Sequence, residues 1–123
     1  MPMRAARAIT CAAAVAAAFT VLGLAAPAGA EPQSIDLVIG NGTLPADDRL
    51  VAVTQGDELT LRLTSDKPVE FHLHGYDIEQ KLLPGVTVSR RFLARAAGRF
   101  PLEVHGDFPG GEKVIGYLEV RPQ

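Results

Sequence analysis

Three histidines carry the chemistry that this 123-residue chain can offer, and two of them stand two apart. His72 and His74 lie in Val69-Glu-Phe-His-Leu-His-Gly-Tyr-Asp77, and His105 closes Phe100-Pro-Leu-Glu-Val-His105. Imidazole is the commonest metal-ligating side chain and uses either ring nitrogen, at about 2.0 Å from an ion such as zinc. Both stretches alternate apolar and polar residues, which predicts β-strands. The first sends Val69, Phe71 and Leu73 to one face and Glu70, His72 and His74 to the other. The second sends Phe100, Leu102 and Val104 one way and Pro101, Glu103 and His105 the other. Side chains two apart on a strand sit roughly 7 Å apart at their bases, so His72 and His74 can bend toward a single ion. If the two strands are sheet neighbours, all three imidazoles share one side. The bland reading is of histidines solvated or hydrogen-bonded on a polar face.

The elements that must hold these residues read as short strands separated by turn signals. Ile35–Ile39 is a strand closed by Gly40-Asn41-Gly42, Pro45–Asp48 is loop-like, and Leu50–Val53 is a second strand. Glu58–Thr64 alternates cleanly, with Leu59, Leu61 and Leu63 pointing inward. After the histidine strand, Ile78–Leu83 reads as a short strand or an irregular crossing, and Thr87–Ala94 as a strand. Arg99–His105 runs back, Gly106–Glu112 is a Gly/Pro loop, and Val114–Val120 is the last strand. About seven short strands with no helical period predict an all-β, two-sheet sandwich.

Residues 1–30 read as a secretory signal peptide: Arg4 and Arg7 make a basic start, Ala12–Ala26 an apolar run, and Ala28-Gly29-Ala30 a small-residue cleavage site. The alternative, a retained anchor, has an apolar segment broken by Gly and Pro and short of the roughly 20 residues of a span. The mature protein is then a single domain over residues 31–123, periplasmic or secreted, with no membrane span after cleavage. The one cysteine, Cys11, lies in the leader, so the domain has no disulfide and rests on its core, with help from any ion it binds. Without Arg4 and Arg7 the 12 basic residues fall to 10 against 14 acidic, a net charge of −4. No basic cluster with interleaved aromatics is present, which disfavours nucleic acid and anionic membrane as partners.

The order of Gly56-Asp57, Phe71-His-Leu-His-Gly75, Pro84-Gly85, Ala97-Gly98-Arg-Phe100 and Gly116-Tyr-Leu-Glu-Val120 resembles the cupredoxin superfamily over residues 35–121. It looks most like small exported cupredoxin-like domains, including the type found in bacterial iron-uptake EfeO proteins, and His72-Leu-His74-Gly75 is similar to the His-x-His-Gly motifs of multicopper oxidases. The resemblance implies a Greek-key β-sandwich with a copper site at one end, and His72 or His74 at the position of the family's first histidine ligand. A blue copper site also needs a cysteine thiolate near Val104 or His105 and usually an axial methionine. Residues 31–123 contain neither. What remains is a nitrogen and oxygen site: His72, His74 and His105, with Glu103 or Asp77 as fourth ligand or as an acceptor orienting an imidazole. Such donors suit copper(II) or zinc, with copper favoured by affinity order. Asp77 also reads as a turn cap, and Glu103 as a surface partner of Arg99 or Lys113.

Three functional classes follow. The first is an exported copper-binding protein in metal carriage, buffering or delivery, with the metal ion and a periplasmic or extracellular protein as partners. The second is a metal-free degenerate cupredoxin acting as a structural or protein-binding domain, since fold does not fix function. The third, an enzyme, is least supported: a histidine brace needs an N-terminal histidine where Glu31 is expected, and Ser89 has no nucleophile-elbow glycines.

Overall fold

The computed structural model describes Gly23 and residues 32–123; apart from Gly23, the expected signal peptide, with Cys11, lies outside the described residues. Eight strands form: β1 Pro32–Ile39, β2 Leu50–Thr54, β3 Glu58–Ser65, β4 Val69–Leu73, β5 Ile78–Leu82, β6 Val88–Leu93, β7 Gly98–Gly106 and β8 Glu112–Arg121. The one helical element among the described residues is a 3-10 turn at Ala46–Asp48, in the expected polar loop. The strands make a three-stranded sheet, order β1-β3-β6, facing a five-stranded sheet, order β2-β8-β7-β4-β5. The chain passes from one sheet to the other between β1 and β2, β2 and β3, β3 and β4, β5 and β6, and β6 and β7, as a Greek-key sandwich does.

Alternation determines which side chains enter the core. Leu59, Leu61 and Leu63 of β3 are buried, with Leu37 and Ile39 of β1 beside them. From the larger sheet they meet Phe71 and Leu73 of β4, Leu102 and Val104 of β7, and Leu118 and Val120 of β8. The segment after the histidines settles as β5, paired antiparallel with β4 from Val69↔Leu82 to Leu73↔Ile78. Arg90 of β6 donates to the Glu79 carbonyl (3.1 Å) and to Gln80 Oε1 (3.2 Å), linking the edge strand of one sheet to that of the other. Two pairings are parallel, β1 with β3 and β2 with β8, and β1 begins earlier than alternation alone predicts, at Pro32.

A register shift in β8 matters for the site. Leu102 pairs with Gly116 and Glu103 with Val114, so Ile115 is an extra residue on β8, a β-bulge. Tyr117 and Glu119 face away from the core on one side of it, and Val114 and Glu112 do so on the other. The bulge resets the phase of β8 and brings Glu112 opposite His105.

Candidate metal centre

β4 lies between β5 and β7, and the register joins its polar face to both neighbours. His72 is opposite Glu79 on one side and Glu103 on the other, and Glu70 is opposite Lys81 and His105. The inner residues Val69, Phe71 and Leu73 are buried, so Glu70 and His72 must face out. His74 lies just past the end of β4, but its N–H still donates to the Pro101 carbonyl at 3.2 Å, holding it beside β7.

The three imidazoles gather on this face. The ring centroids of His72 and His74 are 5.0 Å apart, and those of His72 and His105 are 5.3 Å apart. Glu103 joins them: its Oε2 is 2.8 Å from His74 Nε2 and 4.0 Å from His105 Nε2. Its side chain is only 19% exposed, unlike the surface partner of Arg99 or Lys113 that its position in the sequence allows.

Two further carboxylates sit behind the histidines. Glu79 Oε1 stands 2.6 Å from His72 Nε2, and Glu112 Oε2 stands 3.5 Å from His105 Nδ1. The opposite nitrogens, His72 Nδ1 and His105 Nε2, are buried and have no hydrogen-bond partner. Buried polar atoms are nearly always partnered, and metal-ligating histidines characteristically give their other ring nitrogen to a carboxylate. Each of these two imidazoles thus has one nitrogen facing a glutamate and one buried nitrogen without a partner. Three donor groups have their ligand atoms within 4.8 Å of one another: His72, His74 and Glu103; Glu70, His72 and Glu79; and Glu103, His105 and Glu112. All the donors are imidazole nitrogen or carboxylate oxygen, which fits copper(II) and zinc.

Asp77 is not in any of these groups. It stands in the turn after β4 with φ 52°, a left-handed conformation that aspartate tolerates. That turn is anchored from beneath. Gly75 has φ 86° and lies so close to Phe100 that a Cβ would strike the ring. Tyr76 packs against Phe92 and Phe100 at centroid distances of 5.1 and 4.9 Å, and its hydroxyl donates to the Ala96 carbonyl at 2.9 Å. It is a packing residue, and it fixes where the chain leaves His74.

The cluster also differs in place from the site that the resemblance implies. His72 and Glu103 lie within β4 and β7 on the outer face of the larger sheet, not at one end of the sandwich. Glu79, Glu112 and Glu70 are absent from the ligand set read from sequence. Glu70 shares the polar face of the histidine strand, a signal already visible in the sequence, whereas Glu79 and Glu112 reach the site only through strand pairing. Among the described residues, no helix is long and apolar enough to cross a membrane.

No protein-family model matches the sequence, and no curated protein matches it. Solved structures do. A chain of a heme-copper terminal oxidase dimer aligns with a TM-score of 0.60 at 14% identity, covering 72% of this chain and 65% of that one. The blue copper oxidase of Nitrosomonas europaea aligns at 0.57 and 20%, covering 76% of this chain and 39% of that one. The multicopper oxidase mgLAC aligns at 0.58 and 21%, covering 76% and 40%. This chain therefore spans less than two thirds of the length of each. At such identities the likeness bears on architecture alone, and the architecture is the cupredoxin-like β-sandwich.

Proposed function

We propose that this chain is an exported copper-binding protein of the small cupredoxin-like type, with a thiolate-free site on the outer face of its larger sheet. His72, His74 and His105 are its nitrogen donors and Glu103 its oxygen donor, while Glu79 and Glu112 orient two of the rings. The observation that carries this reading is the pair of buried, unpartnered nitrogens, His72 Nδ1 and His105 Nε2, each on a ring whose other nitrogen faces a carboxylate. Copper(II) is the preferred ion by affinity order and zinc the next. The role is carriage, buffering or delivery in the periplasm or outside the cell, with a protein partner giving or receiving the ion. The copper-protein neighbours support this reading through their shared fold. We assign the chain no catalytic reaction.

Electron paramagnetic resonance of the protein with one equivalent of Cu(II) tests the ligand set. Hyperfine coupling to several imidazole nitrogens is expected, reduced in His72→Ala and in His105→Ala. A spectrum matching Cu(II) in buffer would contradict the proposal.

A second reading, a metal-free domain that binds another protein, draws on the same geometry. Each imidazole already has a carboxylate nearby: Glu79 for His72, Glu103 for His74 and Glu112 for His105. Under this reading the protein takes up no ion, and its melting temperature does not respond to metals.

A further inference from the structure

We propose that the histidine face takes two divalent cations, bridged by Glu103, and not one. The inference rests on the metal-binding reading above and extends it to the number of ions and the order in which they load. Two complete three-donor groups share a single residue: His72, His74 and Glu103 on one side, Glu103, His105 and Glu112 on the other. Glu103 is placed to serve both, with Oε2 at 2.8 Å from His74 Nε2 and 4.0 Å from His105 Nε2, and a carboxylate has two oxygens with which to bridge. Carboxylate and imidazole ligands of this kind support ion pairs about 3.5–4 Å apart.

Charge points the same way. The rows through Glu79, His72 and Glu103 and through Lys81, Glu70, His105 and Glu112 bring four carboxylates and one lysine onto the face. One divalent ion leaves that patch negative, so it still attracts a second. At one equivalent His105 is the fourth donor of the first ion. At two equivalents Glu112, which otherwise orients the His105 ring, becomes a ligand: His105 turns to hold the second ion with it, and Glu103 joins the two.

The test is native mass spectrometry of the purified protein titrated with Zn(II) and with Cu(II), alongside a spin count of the copper form. Two ions per chain are expected, with an integrated resonance signal below the copper content because bridged Cu(II) ions couple magnetically. Glu112→Gln, at an exposed position on β8, is expected to lose the second ion and to hold the first more weakly, because the His105 ring also loses its orienting carboxylate. Wild-type protein that stops at one ion with a full spin count would overturn the two-ion inference while leaving the single site standing. A Glu112→Gln variant that still takes two ions would also overturn it. Protein that takes none would end both this inference and the reading beneath it.

Discussion

His72 and Glu79 face each other across β4 and β5, with His72 Nε2 2.6 Å from Glu79 Oε1, and His72 Nδ1 is left buried and unpartnered. A carboxylate at this place orients a ligating imidazole and leaves its other nitrogen to accept an ion. Removing it tests whether the pair is built for a ligand. Glu79→Gln is expected to lower Cu(II) affinity about 10- to 100-fold. Because the pair is exposed on the glutamate side, the same change costs the metal-free fold only about 0–1 kcal/mol. Competition titration against a chelator of known affinity, with a parallel urea melt, separates the two effects.

The opposite face of the same strand carries the fold. Phe71 is fully buried between the sheets, and Phe71→Ala is expected to cost about 3–5 kcal/mol. His72→Ala, one residue away, removes an outward side chain and is expected to leave the metal-free unfolding midpoint nearly unchanged. Urea denaturation of the two variants checks the contrast.

Gly75 sets the turn that follows the site. Its φ of 86° and its contact with Phe100 exclude a side chain, so Gly75→Ala is expected to destabilise by about 1–3 kcal/mol through strain and overpacking. Loss of the aromatic packing around Tyr76 would appear in the near-ultraviolet circular dichroism. An unchanged spectrum and melt would show that the turn is looser than described.

The oxidation state of the ion follows from the donors. Residues 32–123 contain no cysteine or methionine, and soft sulfur ligands are what select Cu(I). Cu(II) is expected to bind more tightly than Cu(I), so ascorbate added to the copper-loaded protein should promote release to a Cu(I) chelator. Retention of the ion after reduction would contradict the nitrogen and oxygen site.

Much of this was legible in the alternation of β3, β4 and β7, which is a local property of the sequence. The leucines of β3, and Phe71 beneath His72, follow directly from a period of two, and so do the shared faces of Glu70, His72 and His74 and of Glu103 and His105. Glu79 and Glu112 were not legible, because their place beside His72 and His105 depends on which strands pair and in what register. For Glu112 it depends also on the bulge at Ile115, without which the phase of β8 would turn it away. Asp77 follows the histidines closely in sequence, but the left-handed turn at Gly75 and Asp77 takes it out of the donor groups. Parallel pairing of β1 with β3 is likewise a long-range feature that no local pattern encodes.

Calorimetric titration of the purified protein with Cu(II), with the melting temperature followed in parallel, tests most directly whether the three imidazoles bind a metal ion. Tight uptake is expected. At a free-ion concentration 100 times the dissociation constant it stabilises the fold by about 2.7 kcal/mol, which for a domain of this size raises the melting temperature by roughly 10–20 °C. Both effects should vanish in the His72→Ala/His74→Ala double variant. No heat of binding and an unmoved melt in the wild-type protein would contradict the account and leave a metal-free sandwich whose histidine face serves a protein partner.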